Sequence, residues 1–142
     1  MAAIVGATAL VPGVSQAEGP SFNKITARDY KFLGVPKNPS QAGLYKFGFK
    51  NNGEKVHEFV LLKNNSGMSN RDLLELSKTD FEAAESQAKF MGATFAKPGE
   101  KGDAFTTWLK PGRYFVACFV QNSKTAPAHW EKGMLRGLTV TK

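Results

Sequence analysis

Residues 44–50 read LYKFGFK, with aromatic side chains at every second position. Tyr45, Phe47 and Phe49 fall on one face; Leu44, Lys46, Gly48 and Lys50 fall on the other. A period of two belongs to an extended strand, so this stretch predicts a strand with one face buried. An aromatic face of that kind needs a second layer to cover it. The chain has one cysteine and therefore no internal disulfide, so apolar packing must hold the layers together. Its 142 residues, 42% hydrophobic and 11% aromatic, are enough for one domain with its own core.

Other segments extend the pattern. Residues 23–33, NKITARDYKFL, mix β-branched, aromatic and polar side chains as an outer strand does, and 34–43 carry two Pro and two Gly and predict a loop. Asn51-Asn52-Gly53 predicts a turn, followed by a more continuously apolar strand, VHEFVLLK. Between about 69 and 90 the period changes. Ser69 stands three before Asp72 and Thr79 three before Glu82, two capping-box signatures, and Leu73, Leu76, Phe81, Ala84 and Ala88 recur at helical spacing up to Gly92. Pro98-Gly99 and Pro111-Gly112 then mark turns ahead of strand-like runs. In the second run Tyr114, Val116 and Cys118 share one face, and Phe115, Ala117 and Phe119 the other. MLRGLTVTK predicts a last strand. The expected fold is all-β, an antiparallel sandwich with a short helical insertion at about residues 69–90.

The first seventeen residues carry no charge, residues 2–14 are small and apolar, and Ser15-Gln16-Ala17 fits a signal-peptidase site. Residues 1–17 therefore predict an export signal, truncated at its positive end, and 18–142 a single domain. The apolar run is shorter than the about 20 residues of a spanning helix, so no transmembrane segment is expected in the mature chain. Nineteen Lys and Arg against twelve Asp and Glu give a net charge of +7. These bases are scattered, without an Arg-rich helix or zinc-finger spacing, which argues against nucleic acid as a target.

The chemistry-bearing residues concentrate at two places. His57 begins a strand after the 51–53 turn; Cys118 ends another, with His129 and Met134 on the loop that follows. Either these side chains share a metal ion, or a buried thiol happens to lie near a surface loop. Two imidazoles, a thiolate and a thioether form the donor set of a blue copper centre: the soft thiolate favours Cu(I), imidazole binds both oxidation states, and a weak axial Met imposes neither preferred geometry. Structural zinc prefers closed Cys/His sets. A Cys–His hydrolase needs an orienting third group that no local signature supplies. Both histidines are already in use, so the chain cannot add the further copper sites of multicopper catalysis.

Three motifs in order carry a family resemblance: Asn52-Gly53…His57-Glu58-Phe59, Pro111-Gly112-Arg113-Tyr114…Cys118, and His129…Gly133-Met134. From about Lys24 to the C-terminus the chain resembles the cupredoxins, the plastocyanin- and azurin-like blue copper proteins. Ten residues lie between Cys118 and His129, and His129 is followed by four residues and then Met134, a long ligand loop similar to that of copper nitrite reductases. The resemblance implies a Greek-key β-sandwich and one type 1 copper held by His57, Cys118, His129 and Met134. It implies a periplasmic or secreted one-electron carrier rather than an enzyme, with His129 as the ligand nearest solvent. Trp130 is then expected in an apolar docking patch or tucked against the sandwich end. Lys124, Lys132 and Arg136 lie around the same loop and either guide an acidic redox partner or are ordinary solvated charges, and Glu58 is expected to face solvent. Copper storage, delivery or sensing on the same ligands, or a metal-free interaction domain of this fold, are the alternatives. The metal-free reading requires His57 and Cys118 to point to opposite faces.

Overall fold

The computed structural model describes residues 19–142; the predicted export signal lies outside them. Nine strands form two sheets. β1 (Ser21–Arg28), β2 (Lys31–Leu33), β4 (Gly43–Asn51) and β7 (Lys101–Leu109) make one, in the order β2-β1-β4-β7. β3 (Ser40–Gln41), β9 (Leu135–Thr141), β8 (Gly112–Ala117), β5 (His57–Asn64) and β6 (Ala88–Ala96) make the other, in the order β3-β9-β8-β5-β6. Non-sequential neighbours such as β5 and β8 give the sandwich its crossing connections. Most pairs are antiparallel, but β1 runs parallel to β4, and β3 to β9.

Residues 23–33, read as one outer strand, fold back as a hairpin at Asp29-Tyr30, where Tyr30 has a φ of 66°. The hairpin sets β1 alongside β4 and leaves Asp29 and Tyr30 at the rim of the sandwich. The insertion is shorter than its apolar spacing predicts: α1 spans Asn70–Thr79 and α2 spans Phe81–Glu85. Ala88 and Phe90 already belong to β6, which pairs with β5. Ser69 caps α1 as expected, its hydroxyl accepting from the Asp72 N–H. The second cap is Asp80 rather than Thr79; its carboxylate accepts from the Ala83 N–H, while the Thr79 hydroxyl donates back to Leu76. Gly92 is no helix stop; it sits where the β5–β6 register shifts.

The main core lies between the sheets, where Ile25, Phe32, Phe47, Phe59, Leu61, Tyr114, Val116 and Leu138 are buried. Phe59 is its hub, with ring centroids 5.7 Å from Phe32, 5.4 Å from Phe47, 6.2 Å from Phe49 and 6.0 Å from Phe105. A second cluster packs the helices onto the outer face of the five-stranded sheet through Leu73, Leu74, Ala84, Phe115, Ala117 and Trp130. β8 is therefore apolar on both faces because both are covered.

This layout fixes one end of the five-stranded sheet. β5 turns His57, Phe59 and Leu61 inward, and β8 with the residue after it turns Tyr114, Val116 and Cys118 inward. Val60 pairs with Ala117, so Cys118 lies beside the first residues of β5. His57 and Cys118 thus share the inner face at the same end. Truncating the hub, Phe59→Ala, is expected to lower the unfolding free energy by about 3–5 kcal/mol in urea titrations followed by circular dichroism; a loss under 1 kcal/mol contradicts this account of the core.

Candidate metal centre

His57, Cys118 and His129 are fully buried, and one donor atom from each lies within 4.8 Å of the other two. The Nδ1 atoms of the two imidazoles are 3.1 Å apart. Cys118 Sγ is 3.5 Å from His129 Nδ1 and 4.0 Å from His57 Nδ1.

The other ring nitrogens decide what those Nδ1 atoms can do. His57 Nε2 is 2.7 Å from Asp29 Oδ1. Asp29 also accepts from the Glu54 and Lys55 amides. Burial alone raises the Asp29 carboxyl, but the hydrogen bonds from His57 and the two amides outweigh it and hold it below its ordinary range. An ionised carboxylate only accepts, so His57 Nε2 carries the proton. His129 Nε2 is 2.7 Å from Asn122 Oδ1, and the Asn122 amide nitrogen donates to the Tyr30 hydroxyl at 3.0 Å. That orients the Asn122 oxygen toward the ring, so His129 Nε2 is also the donor. Both Nδ1 atoms are then bare lone pairs facing each other in a dry site. Such a contact is repulsive until a cation stands among them. An extra proton on His129 is a poor answer, because burial first, and then the repulsion that a protonated His57 and Lys132 would exert, lower its pKa.

The backbone brings the loop residues in. After β8 the chain leaves the sheet and returns as a 3₁₀ helix, His129–Lys132. The returning segment is tied down by His129 N–H to Val120 O at 2.8 Å and Trp130 N–H to Cys118 O at 2.8 Å. Met134 is fully buried beside it: its carbonyl accepts from the Cys118 N–H at 3.2 Å and its N–H donates to His129 O at 3.1 Å. Gly133, between helix and methionine, has a φ of 127°, and a Cβ there would meet the Tyr30 carbonyl. The 51–57 turn is equally constrained. Buried Asn51 donates to Lys55 O and Ala96 O and accepts from the Gly53 N–H. A Cβ on Gly53 would run into both Asp29 Oδ1 and His57 Nε2. Tyr30 closes the top, its ring edge-on to His57 and His129 with centroids at 6.5 and 5.2 Å, and Lys132 Nζ lies 4.2 Å from the Tyr30 centroid.

Several expectations change. His129, expected as the ligand nearest solvent, is itself as fully buried as His57 and Cys118, and exposed Asn122 stands between its Nε2 and water. Trp130 takes the tucked position, 3% exposed beneath α1 with Arg71 and Lys78 over its ring, and forms no docking patch. Glu58 does not face solvent freely: it is half-buried, its carboxylate accepts from the Phe119 N–H at 2.8 Å, and burial raises its pKa. Asp29, Tyr30 and Asn122 were not singled out from the sequence. The signal for the first two is a polar residue and an aromatic one interrupting a strand; Asn122 stands out only as a polar residue in the ligand loop.

Burial pushes the Cys118 thiol up to about 11, with the Glu58 and Val120 amides opposing part of the rise. The folded metal-free chain therefore holds this proton more tightly than the unfolded chain. The associated stability is complete below pH about 9 and is lost as pH rises to about 11. Chemical denaturation of metal-free protein from pH 8 to 11 is expected to lose about 2–3 kcal/mol more in the parent chain than in Cys118→Ala. Equal losses contradict the burial of the thiol.

No family model matches this sequence, and no curated protein matches it. Solved structures do. An auracyanin of the photosynthetic bacterium Roseiflexus castenholzii, reduced with dithionite, matches at a TM-score of 0.56 and 22% identity, over 87% of this chain and 100% of its own. Auracyanin B matches at 0.58 and 22%, over 88% and 92%. Auracyanin A, a "blue" copper protein of Chloroflexus aurantiacus, matches at 0.58 and 19%, over 87% and 100%. At such identities the likeness is one of fold, and the chain has the cupredoxin fold.

Proposed function

We propose that the chain binds one copper ion as a type 1 centre and carries single electrons by cycling between Cu(II) and Cu(I). His57 Nδ1, His129 Nδ1 and Cys118 Sγ would hold the ion, with Met134 as a further, weak thioether donor. One observation carries the proposal: Asp29 and Asn122 occupy both Nε2 atoms, so two unprotonated Nδ1 atoms and the only thiol face one another in a fully buried site. The donor chemistry fits copper, soft sulfur for Cu(I) and imidazole for both states. When bound, the ion supplies the redox change. The protein holds the donors still, and a rigid dry site leaves little to rearrange on electron transfer.

The anchored loop favours a carrier over storage or delivery. Its backbone bonds to Cys118 and Val120 are joined by an ion pair, Lys78 Nζ to Glu131 Oε1 at 2.7 Å, that ties the 3₁₀ helix to α1. A metal to be handed on needs an exit, and here His57, Cys118 and His129 are all at 0% exposure. The hydrogen bond from His129 leads directly to exposed Asn122, on the loop that carries the ligands, which makes this edge the proposed electron port. Partner docking there is expected to be salt-sensitive if the partner is acidic, since Lys124 and Lys132 flank it. Among the described residues no helix is long and apolar enough to cross a membrane. The uncharged N-terminal residues, ending in Ser15-Gln16-Ala17, support export to the periplasm or beyond as a mature domain starting near Glu18. Mass spectrometry of protein from its native host is expected to find that N-terminus, and an intact Met1 contradicts it.

Adding Cu(II) to the purified protein is expected to give an intense visible thiolate-to-copper band at one ion per chain, abolished in Cys118→Ser. Asp29→Ala and Asn122→Ala, which free the far side of each imidazole, are expected to weaken copper binding about 10–100-fold. A spectrum unchanged in Cys118→Ser removes the site.

A further inference from the structure

We propose that the outer face of the four-stranded sheet is a docking surface for an anionic phospholipid bilayer. The inward residues of this sheet belong to the core, and alternation turns Phe22, Lys24, Thr26 and Arg28 of β1 to the other side. Leu44, Lys46, Gly48 and Lys50 of β4 do the same, as do Lys31 of β2 and Lys101, Thr106 and Trp108 of β7. Six bases thus share one face. The register sets like charges side by side, Arg28 against Lys31 and Lys50 against Lys101. Opposed like charges destabilise a sheet. Among the described residues none of the six is ion-paired or hydrogen-bonded through its side chain to another residue. Glu100 and Asp103 at one margin, and Asp29 between Arg28 and Lys31, are the nearby acids, and Asp29 is committed to His57 and the Glu54 and Lys55 amides. An arrangement that costs stability and stays unneutralised within the chain is complementary to an external anion.

Three features select a bilayer rather than a shaped ligand or an acidic protein. The face is a sheet surface four strands wide, about 15–20 Å across at ordinary strand spacing, with its charges spread over it rather than gathered into a pocket. Phe22 and Trp108, 62% and 57% exposed, stand at one end of it with Leu44. Exposed aromatic rings beside scattered bases are the combination that binds an acidic interface, the rings entering the headgroup layer and the bases meeting the negative surface potential. Finally, the basic end of the face is the Arg28–Lys31 hairpin, whose Asp29 holds His57. A bilayer on this face leaves the metal-centre end directed along the membrane plane.

The surface is independent of copper, so its test is too. Full-length protein, with and without Cu(II), is mixed at low salt with vesicles of phosphatidylcholine alone or with 30 mol%, roughly the acidic fraction needed to make a strongly negative surface, of phosphatidylglycerol. Sedimentation and Trp108 emission are the readouts. Expected are binding and a blue shift with acidic vesicles only, equal with and without copper, and reversed by raised salt. Lys24→Gln/Lys46→Gln/Lys50→Gln is expected to lower partitioning about 100-fold, near fivefold per base. Lys124→Gln/Lys132→Gln, at the electron port, is expected to bind like the parent. All variants keep the apolar N-terminal residues, so differences between them report on the face, and thermal melts confirm folding. Absence of acid-dependent binding overturns the proposal, as does a triple variant that binds like the parent or equal loss in the port variant. Binding to polyglutamate without vesicle association assigns the face to an acidic protein and overturns it as well.

Discussion

Two imidazole nitrogens without protons, 3.1 Å apart in a site from which water is excluded, are what the rest of the molecule is organised around. Left alone, their lone pairs repel and the rings turn away. They are held in place from behind. Asp29 fixes one ring and is itself fixed by two backbone amides; Asn122 fixes the other and is oriented by Tyr30. Asn51 locks the turn that carries His57, and the absence of a side chain on Gly53 lets Asp29 come close enough. Each support is a hydrogen bond or a steric allowance well away from the donor atoms. Together they replace the ring freedom that an unconstrained pair of histidines uses to escape.

The two sheets do different work in this arrangement. The five-stranded sheet and the loop after it provide all the proposed donors: His57 from β5, Cys118 from the end of β8, His129 and Met134 from the return to β9. The four-stranded sheet provides none of them, yet its β1–β2 hairpin delivers Asp29 and Tyr30 over the imidazoles. The centre therefore sits where the two layers close. Burial of the helices on the far face of β8 adds a third constraint, because Trp130 is wedged beneath α1 while its neighbour His129 faces the donors.

Much of this could be read from the residues, and the gaps have physical causes. Alternation in 44–50 and 112–119 gives strands and faces, since burial on a sheet enforces a period of two. The four proposed ligands could be picked out because soft sulfur and imidazole are scarce here, with one Cys and two His in the chain. The hairpin in 23–33 was not legible: Asp29-Tyr30 lacks the Gly or Asn that marks a tight turn, and Tyr30 takes a positive φ under the pull of its contacts with His129 and Lys132. The helical end was misplaced because Ala88 continues an apolar spacing that a strand buried on one side also accepts. Asp29 and Asn122 escaped for a deeper reason. They act through other residues, and support of that kind has no local sequence period.

The same division bears on how the proposed carrier, with its buried centre, meets its surroundings. A donor set at zero exposure cannot be touched by a partner, so contact must run through what covers it, and the cover here is polar: Asn122, Tyr30 and Lys132. Trp130, 3% exposed beneath α1, presents no surface of its own over the imidazoles. Recognition at this end then depends on charge and hydrogen bonding, which are long-ranged but weak in salt. A surface that also confined the chain to the plane in which its partners lie would offset that weakness by raising their local concentration. The unneutralised sheet face, turned about its edge from the centre, is placed to do so without obstructing it.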